Sequence, residues 1–261
     1  MPALQCHAGE VAFFVAARGD SWVLGIGNGM KIKIFADGAK LGDMLDAYRS
    51  GKVQGFTTNP TLMRQAGITD YQGFAQSVLA QITELPISFE VFADDFAAMD
   101  VQARRIATWG DNVYVKIPIT NTKGETAIPL IESLSADGIK LNVTALMTLD
   151  QVAGVTEALD VATPAVISVF AGRIADTGVD PIPVMTAALK IAARRPKAEL
   201  LWASPREVLN IYQADQIGCH IITVTPDLIK KLALKGKDLT EYSLETVAMF
   251  YDDATKAGFS L

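Results

Sequence analysis

Two hydrophobic periods alternate along most of this chain. Eight short runs, at residues 32–37, 54–58, 87–92, 113–117, 139–144, 165–170, 199–203 and 220–224, are rich in β-branched and apolar residues and too short for helices. Between them lie segments such as LGDMLDAYRS, YQGFAQSVLAQITEL, DDFAAMDVQARRIATWG, AIPLIESLSADG and REVLNIYQADQIG, whose apolar residues recur at helical spacing. Strand runs alternating with amphipathic helices are the pattern of βα units and a parallel sheet. Eight strands, each followed by a helix, predict an α/β fold made of one closed (β/α)8 barrel over residues 30–261. A doubly wound open sheet is the structural alternative, but the first strand leads into Asp37-Gly38 and not into a GxGxxG loop.

Side chains alternate across a strand, so each run can be split into a barrel-facing and a helix-facing set. In VYVKIPIT, Val115 and Ile117 suit the helix layer, and Lys116 therefore points into the barrel. The same parity puts Ser88 with Glu90 in ISFEV, Asn142 with Thr144 in LNVTA, and Ser168 with Phe170 in the sixth run. Asp37 closes the first strand, and Asn59 follows the second in TTNP. All lie near carboxyl ends of strands, the face on which barrel enzymes assemble active sites. Any one of these polar residues taken alone reads as a rim residue meeting water. Their recurrence in matching positions points to one polar ring.

The chemistry open to that ring is narrow. His7 lies in the leading segment and His220 begins a strand as a packed or rim residue, so no histidine joins it. Neither a metal-ligand cluster nor a cofactor motif is expected. A lysine enclosed by apolar strands loses stabilisation of its charged form, and the free amine is a nucleophile toward a carbonyl. The residues alone leave two readings: imine chemistry at Lys116, or a buried ion pair of Lys116 with Glu90 or Asp37.

Composition sets the outer bounds. A chain of 261 residues, 50% apolar, buries one sizeable core, and one domain is the expectation. Twenty-nine acidic against 23 basic residues, a net charge of −6, argue against nucleic acid as a partner. The two cysteines, Cys6 and Cys219, lack CxxC spacing, so a reducing cytoplasm is the natural location. No apolar run approaches the ~20 residues needed to span a bilayer, and no membrane partner is expected. VAFFVAA at 11–17 follows Glu10 instead of a basic region and makes a poor signal peptide. Residues 1–29 end in GIGNG before Met30 opens the strand pattern KIKIFAD; they are read as a non-catalytic extension, with Met30 as the functional start.

Taken in order, FAD, GFTTNPTLM, FEVFAD, VYVKIPIT, LNVTALMT, SVFAGRIAD and WASPREV, from about Lys31 to about Pro226, resemble the transaldolase family, especially its compact members. TTNP at the second strand and VKIP at the fourth, with GRI further on, make the combination specific. The resemblance implies a metal-free and cofactor-free barrel that moves a dihydroxyacetone unit from a ketose phosphate to an aldose phosphate. It implies Lys116 as the Schiff-base lysine and Asp37 as the acid/base at the carbon–carbon bond. Glu90 and Thr144 would hold a proton-shuttling water. Asn59 and Asn142 would orient substrate hydroxyls and the lysine, and Ser168 would line the pocket. Arg173, Ser204 and Arg206 match the family's phosphate site, where a guanidinium fork suits phosphate. Two strings depart: Ser168-Val169-Phe170 stands where many relatives read SPF, and Ala203-Ser204-Pro205-Arg206 where many read ASF before the arginine. Both keep the functional side chains while reshaping loops.

The nearest rival is a fructose 6-phosphate aldolase, which releases free dihydroxyacetone from the same kind of lysine. Aldolases of that branch tend to carry glutamine at the position of Glu90 and tyrosine at that of Phe170, so this chain's pair favours transfer. A non-catalytic sugar-phosphate-binding barrel is a third reading, opposed by the intact set Asp37, Glu90, Lys116 and Thr144. Compact relatives form closed assemblies, which implies a homo-oligomer.

Overall fold

The computed structural model describes residues 29–259, so the expectation for the leading extension falls, apart from Gly29, outside the described residues. Strands β1 (Lys33–Asp37), β2 (Gly55–Thr57), β3 (Ile87–Glu90), β4 (Val113–Pro118), β5 (Leu141–Leu146), β6 (Ala165–Val169), β7 (Ala198–Trp202) and β8 (Ile221–Val224) form a closed barrel in chain order. Every neighbouring pair is parallel, including β8 against β1, so no sheet edge is left open. The α/β barrel expected from the alternating periods is the observed fold. Among the described residues, no helix is long and apolar enough to cross a membrane.

The expectation of one helix per strand needs correction. Helices Pro60–Gln65 and Tyr71–Leu79 both lie between β2 and β3, and Ala171–Asp176 and Pro181–Ala192 both lie between β6 and β7. Each pair is divided by a glycine in the left-handed region, Gly67 at φ 71° and Gly178 at φ 81°. Asp70 and Asp180 then cap the second helices. A residue free of the Cβ penalty ends one helix, and an N-cap acceptor starts the next.

Alternation along the strands sorts the core into two layers. Outward-facing Phe56, Phe89, Val115, Ile117, Ile167, Leu200 and Trp202 belong to one large cluster under the helices. Inward-facing Phe35, Val166, Leu201, Ala203 and Ile221, with Tyr114 and Phe170 beside them, make a smaller cluster inside the barrel. At the amino end of the strands, Lys33 and Glu199 form an ion pair at 2.8 Å. The barrel is therefore filled below the polar ring and carries no pore.

Two groups outside the ring have structural roles. The Leu200 N–H donates to His220 Nδ1 at 2.9 Å, so that imidazole is a packed acceptor, as expected. Burial pushes the Cys219 thiol up to about 12, leaving it protonated and unreactive at neutral pH. After β8 the chain forms Pro226–Lys231, a 3-10 turn Leu232–Leu234, and then the 19-residue helix Leu239–Ala257, none of whose residues is buried.

Gly55 shows how tightly the interior is filled, because a Cβ there would lie 2.5 Å from the Phe35 ring, itself buried against Leu201 and Ile221. Gly55→Ala should cost about 1–3 kcal/mol of stability in urea unfolding, and Phe35→Leu in the same chain should recover part of it. An unchanged midpoint for Gly55→Ala would show that the ring can move aside.

Candidate active site

The strand register places Lys116 between Glu90 on β3 and Asn142 on β5. Its Nζ lies 3.1 Å from Glu90 Oε2 and donates to the Thr58 carbonyl at 3.1 Å. The lysine side chain is 9% exposed and the glutamate 17%. A buried pair of this kind repays its desolvation only when further hydrogen bonds satisfy both groups. Thr58 supplies one for the ammonium. Tyr71, on the helix before β3, donates its hydroxyl to the Glu90 carbonyl at 2.8 Å and so anchors the backbone that carries the carboxylate. The buried ion pair that the residues allowed is thus present.

Asp37 ends β1 on the same inward face. Thr57 donates to its Oδ1 at 2.8 Å, and the Asn59 amide approaches both oxygens at 3.5 and 3.3 Å. Thr57 Oγ1 also lies 2.5 Å from Thr223 Oγ1, and with Asp37 ionised and accepting from Thr57 the donor in that contact is Thr223. Asn59 also caps helix Pro60–Gln65, accepting from the Leu62 N–H at 2.9 Å. One asparagine thereby ties the acid to a helix start. Burial raises the Asp37 pKa, opposed by the charge of Lys116 and the hydrogen bonds from Thr57 and Asn59.

The opposite wall is a short line of hydrogen bonds. Ser168 donates to Asn142 Oδ1 at 2.7 Å, and Asn142 Nδ2 donates to Ser88 Oγ at 2.9 Å, all three residues being buried. Thr144 Oγ1, buried on the same strand face as Asn142, has no hydrogen-bond partner among the described residues. β5 bulges just beyond it, between Val143 and Leu146, with Ala145 at φ 65°. That left-handed conformation is unfavourable for a residue with a Cβ and persists only where packing enforces it.

Above the ring, Phe170 precedes helix Ala171–Asp176 as a half-buried apolar wall, and the Arg173 guanidinium lies 5.8 Å over its ring. Ser204, at φ 60°, and Arg206 follow β7 on the neighbouring loop. The Arg206 Nε donates to Asp176 Oδ1 at 3.0 Å, and its Nη2 is bonded to Asp176 Oδ2. A cleft of about 810 Å³ runs beside the ring between helices Leu41–Arg49, Pro60–Gln65 and Pro226–Lys231, reaching Asp37. No His, Cys, Asp and Glu group among the described residues has the makings of a metal site.

The expected residues therefore gather at one end of the barrel, Asp37 bonded to Asn59, Glu90 to Lys116 and Asn142 to Ser168, with Arg173 in the first helix after β6 and Ser204 and Arg206 on the loop after β7. Thr57 and Thr223 were missed, although strand parity applied to GFT and IITV marks both as inward. Tyr71 and Asp176 were missed because a helix residue's reach toward another element carries no periodic signal.

The family model described as Transaldolase/Fructose-6-phosphate aldolase matches residues 34–261. A probable transaldolase of Dehalococcoides mccartyi is 36% identical over 194 residues, covering 74% of this chain and 86% of that one. A probable transaldolase of Thermoanaerobacter sp. is 30% identical over 238 residues, covering 88% of this chain and all of that one. Among solved structures, KGPDC from Streptococcus mutans aligns at a TM-score of 0.51 with 10% identity, covering 74% of this chain and 87% of that one, which speaks for the barrel alone.

The raised Asp37 pKa gives a stability signature. Folding favours the protonated acid, so stability falls as pH rises from the ordinary value of 3.8 through the raised one, and the penalty persists above it. Asp37→Asn removes that penalty while keeping the shape. It should raise Tm at pH 7, with the gain disappearing below pH 3.8. A gain that grew on acidification would contradict the burial account.

Proposed function

The chain belongs to the transaldolase/fructose-6-phosphate aldolase family, and from that premise we propose that it transfers a dihydroxyacetone unit from a ketose phosphate to an aldose phosphate through an imine on Lys116. The observation that supports this best is the buried Lys116 amine beside Glu90 in a ring that also holds Asp37. Release of its proton frees the amine to add to the ketose carbonyl, and loss of water from the carbinolamine leaves the imine. Glu90, with a water held also by the unpartnered Thr144 hydroxyl, moves protons through those steps. Asp37 then takes the proton of the fourth-carbon hydroxyl as the bond between the third and fourth carbons breaks. The aldose phosphate leaves, and an enamine remains on the lysine. The acceptor aldehyde reverses the sequence, with Asp37 returning the proton to the new hydroxyl.

Burial suits Asp37 to both roles, since a raised pKa brings a carboxylate closer to the pH at which it works. Asn59 holds that acid and faces the sugar hydroxyls. Asn142 and Ser168 shape the wall behind the lysine, and Arg173, Ser204 and Arg206 receive the phosphate. Phe170 carries no proton donor, so the enamine meets an acceptor before it is quenched, which favours transfer over aldolase release of free dihydroxyacetone. Phosphorylated sugars as substrates go with a cytoplasmic enzyme that needs no cofactor.

Borohydride in the presence of fructose 6-phosphate should fix a three-carbon adduct on the peptide carrying Lys116. Lys116→Arg should lose both adduct and turnover, because a guanidinium cannot form the imine. Adduct persisting in that variant would remove Lys116 from the role. Wild-type release of dihydroxyacetone without acceptor, as fast as transfer with erythrose 4-phosphate, would make the enzyme an aldolase.

We also propose that a second copy of this chain covers helix Leu239–Ala257, none of whose residues is buried. Leu244, Val247 and Tyr251 recur at helical spacing along it and are 69%, 60% and 72% exposed, an apolar stripe too continuous for a free surface. Deleting residues 239–261 should leave a folded barrel of monomeric mass in sedimentation, whereas the full chain sediments as an oligomer. A monomeric full chain at micromolar concentration would refute it.

A further inference from the structure

The first helix after β6 and the loop after β7 meet at one point. The Gly172 N–H donates to the Ala203 carbonyl at 3.3 Å, and a Cβ on Gly172 would lie 1.5 Å from the Ser204 carbonyl oxygen, so only glycine permits this approach. Ser204 is held there at φ 60°, two residues before Arg206. The backbone N–H groups of Arg206 and Glu207 both donate to Asn210 Oδ1, at 2.8 and 3.1 Å. Asp176, at the end of the helix that begins at Ala171, takes the Arg206 side chain through Nε and Nη2 together. Arg206 is thus restrained at its backbone by Asn210 and at its guanidinium by Asp176.

Both partners of that ion pair are about half exposed, 48% and 51%, so its contribution to stability is small. Its geometry does something else. A guanidinium presents its donors in a rigid plane, and a carboxylate on the Nε/Nη2 edge leaves the Nη1/Nη2 edge free and fixes where that edge points. We propose that Asp176 is a positioning residue: it clamps one edge of Arg206 so that the other is aimed at the substrate phosphate. This rests on the phosphate role given to Arg206 above. A carboxylate beside a phosphate site also repels the anion, so removing Asp176 has two opposed effects, lost aim and gained positive potential. The two-point contact makes aim the larger.

The test is steady-state kinetics of the full chain with fructose 6-phosphate, compared with unphosphorylated dihydroxyacetone as donor. Asp176→Ala should raise KM for fructose 6-phosphate on the order of tenfold, with a smaller change in kcat, and so lower the preference for the phosphorylated donor. Asp176→Asn, whose amide oxygen still accepts from Nε, should fall between that variant and wild type; a merely structural role would not produce this ordering. Added to Arg206→Ala, Asp176→Ala should have no further effect on KM. If Asp176→Ala leaves KM unchanged or lowers it while Arg206→Ala raises it, the clamp is refuted and the phosphate reading stands. If Arg206→Ala itself leaves KM for fructose 6-phosphate unmoved, the phosphate reading fails and the clamp with it.

Discussion

An ammonium and a carboxylate 3.1 Å apart inside a closed parallel barrel set the terms for everything around them. Taking both charges out of water costs several kcal/mol per ion after relaxation, and their attraction offsets this only if the remaining valences are satisfied. The Thr58 carbonyl accepts from Lys116, and the hydroxyl of Tyr71 fixes the Glu90 backbone. Asp37 is supported in the same way, by Thr57, Thr223 and Asn59. The ring is a network in which each polar side chain either pairs or leaves an open valence at the place where chemistry is proposed, as Thr144 does.

The barrel separates functions by height. Lys33 and Glu199 close the amino end, an apolar plug built on Phe35, Leu201 and Ile221 fills the middle, and the polar ring sits above it. The arginines stand higher still, Arg173 in the first helix after β6 and Arg206 on the loop after β7. A substrate with a carbonyl at one end and an anion at the other matches that order, with the reacting carbon down at the lysine and the charge near the rim. The apolar plug keeps water from reaching the lysine from below, and this low-dielectric floor strengthens the electrostatic interactions of the ring.

Such a ring is also a reservoir of instability. Asp37 is buried against its preference, Ala145 and Ser204 adopt left-handed backbone, and Gly172 allows two backbones nearly to touch. These unfavourable local choices lie at the carboxyl ends of the strands, whereas the outward layer beneath the helices is one large apolar cluster. Stability supplied by that layer holds the ring in a geometry its own residues would not select.

Much of this was legible in the chain's alternating periods. Helix and strand spacing fixed the order of elements, and a period of two assigned Lys116, Glu90, Asn142 and Ser168 to one face, because which side of a strand a residue occupies is decided by its immediate neighbours. Strand ends were read within a few residues; β5 ran two residues further because its bulge breaks the alternation. What the residues could not state was who pairs with whom. Thr57 meets Thr223 across 166 positions only because the last strand closes against the first, and Asn142 reaches Ser88 and Ser168 only because strands β3 to β6 are staggered around the barrel. The clamp of Asp176 on Arg206 and the uncovered helix Leu239–Ala257 belong to the same class. Local periodicity assigns each side chain its face, but contacts between distant segments depend on closure and stagger, which no short stretch of sequence contains.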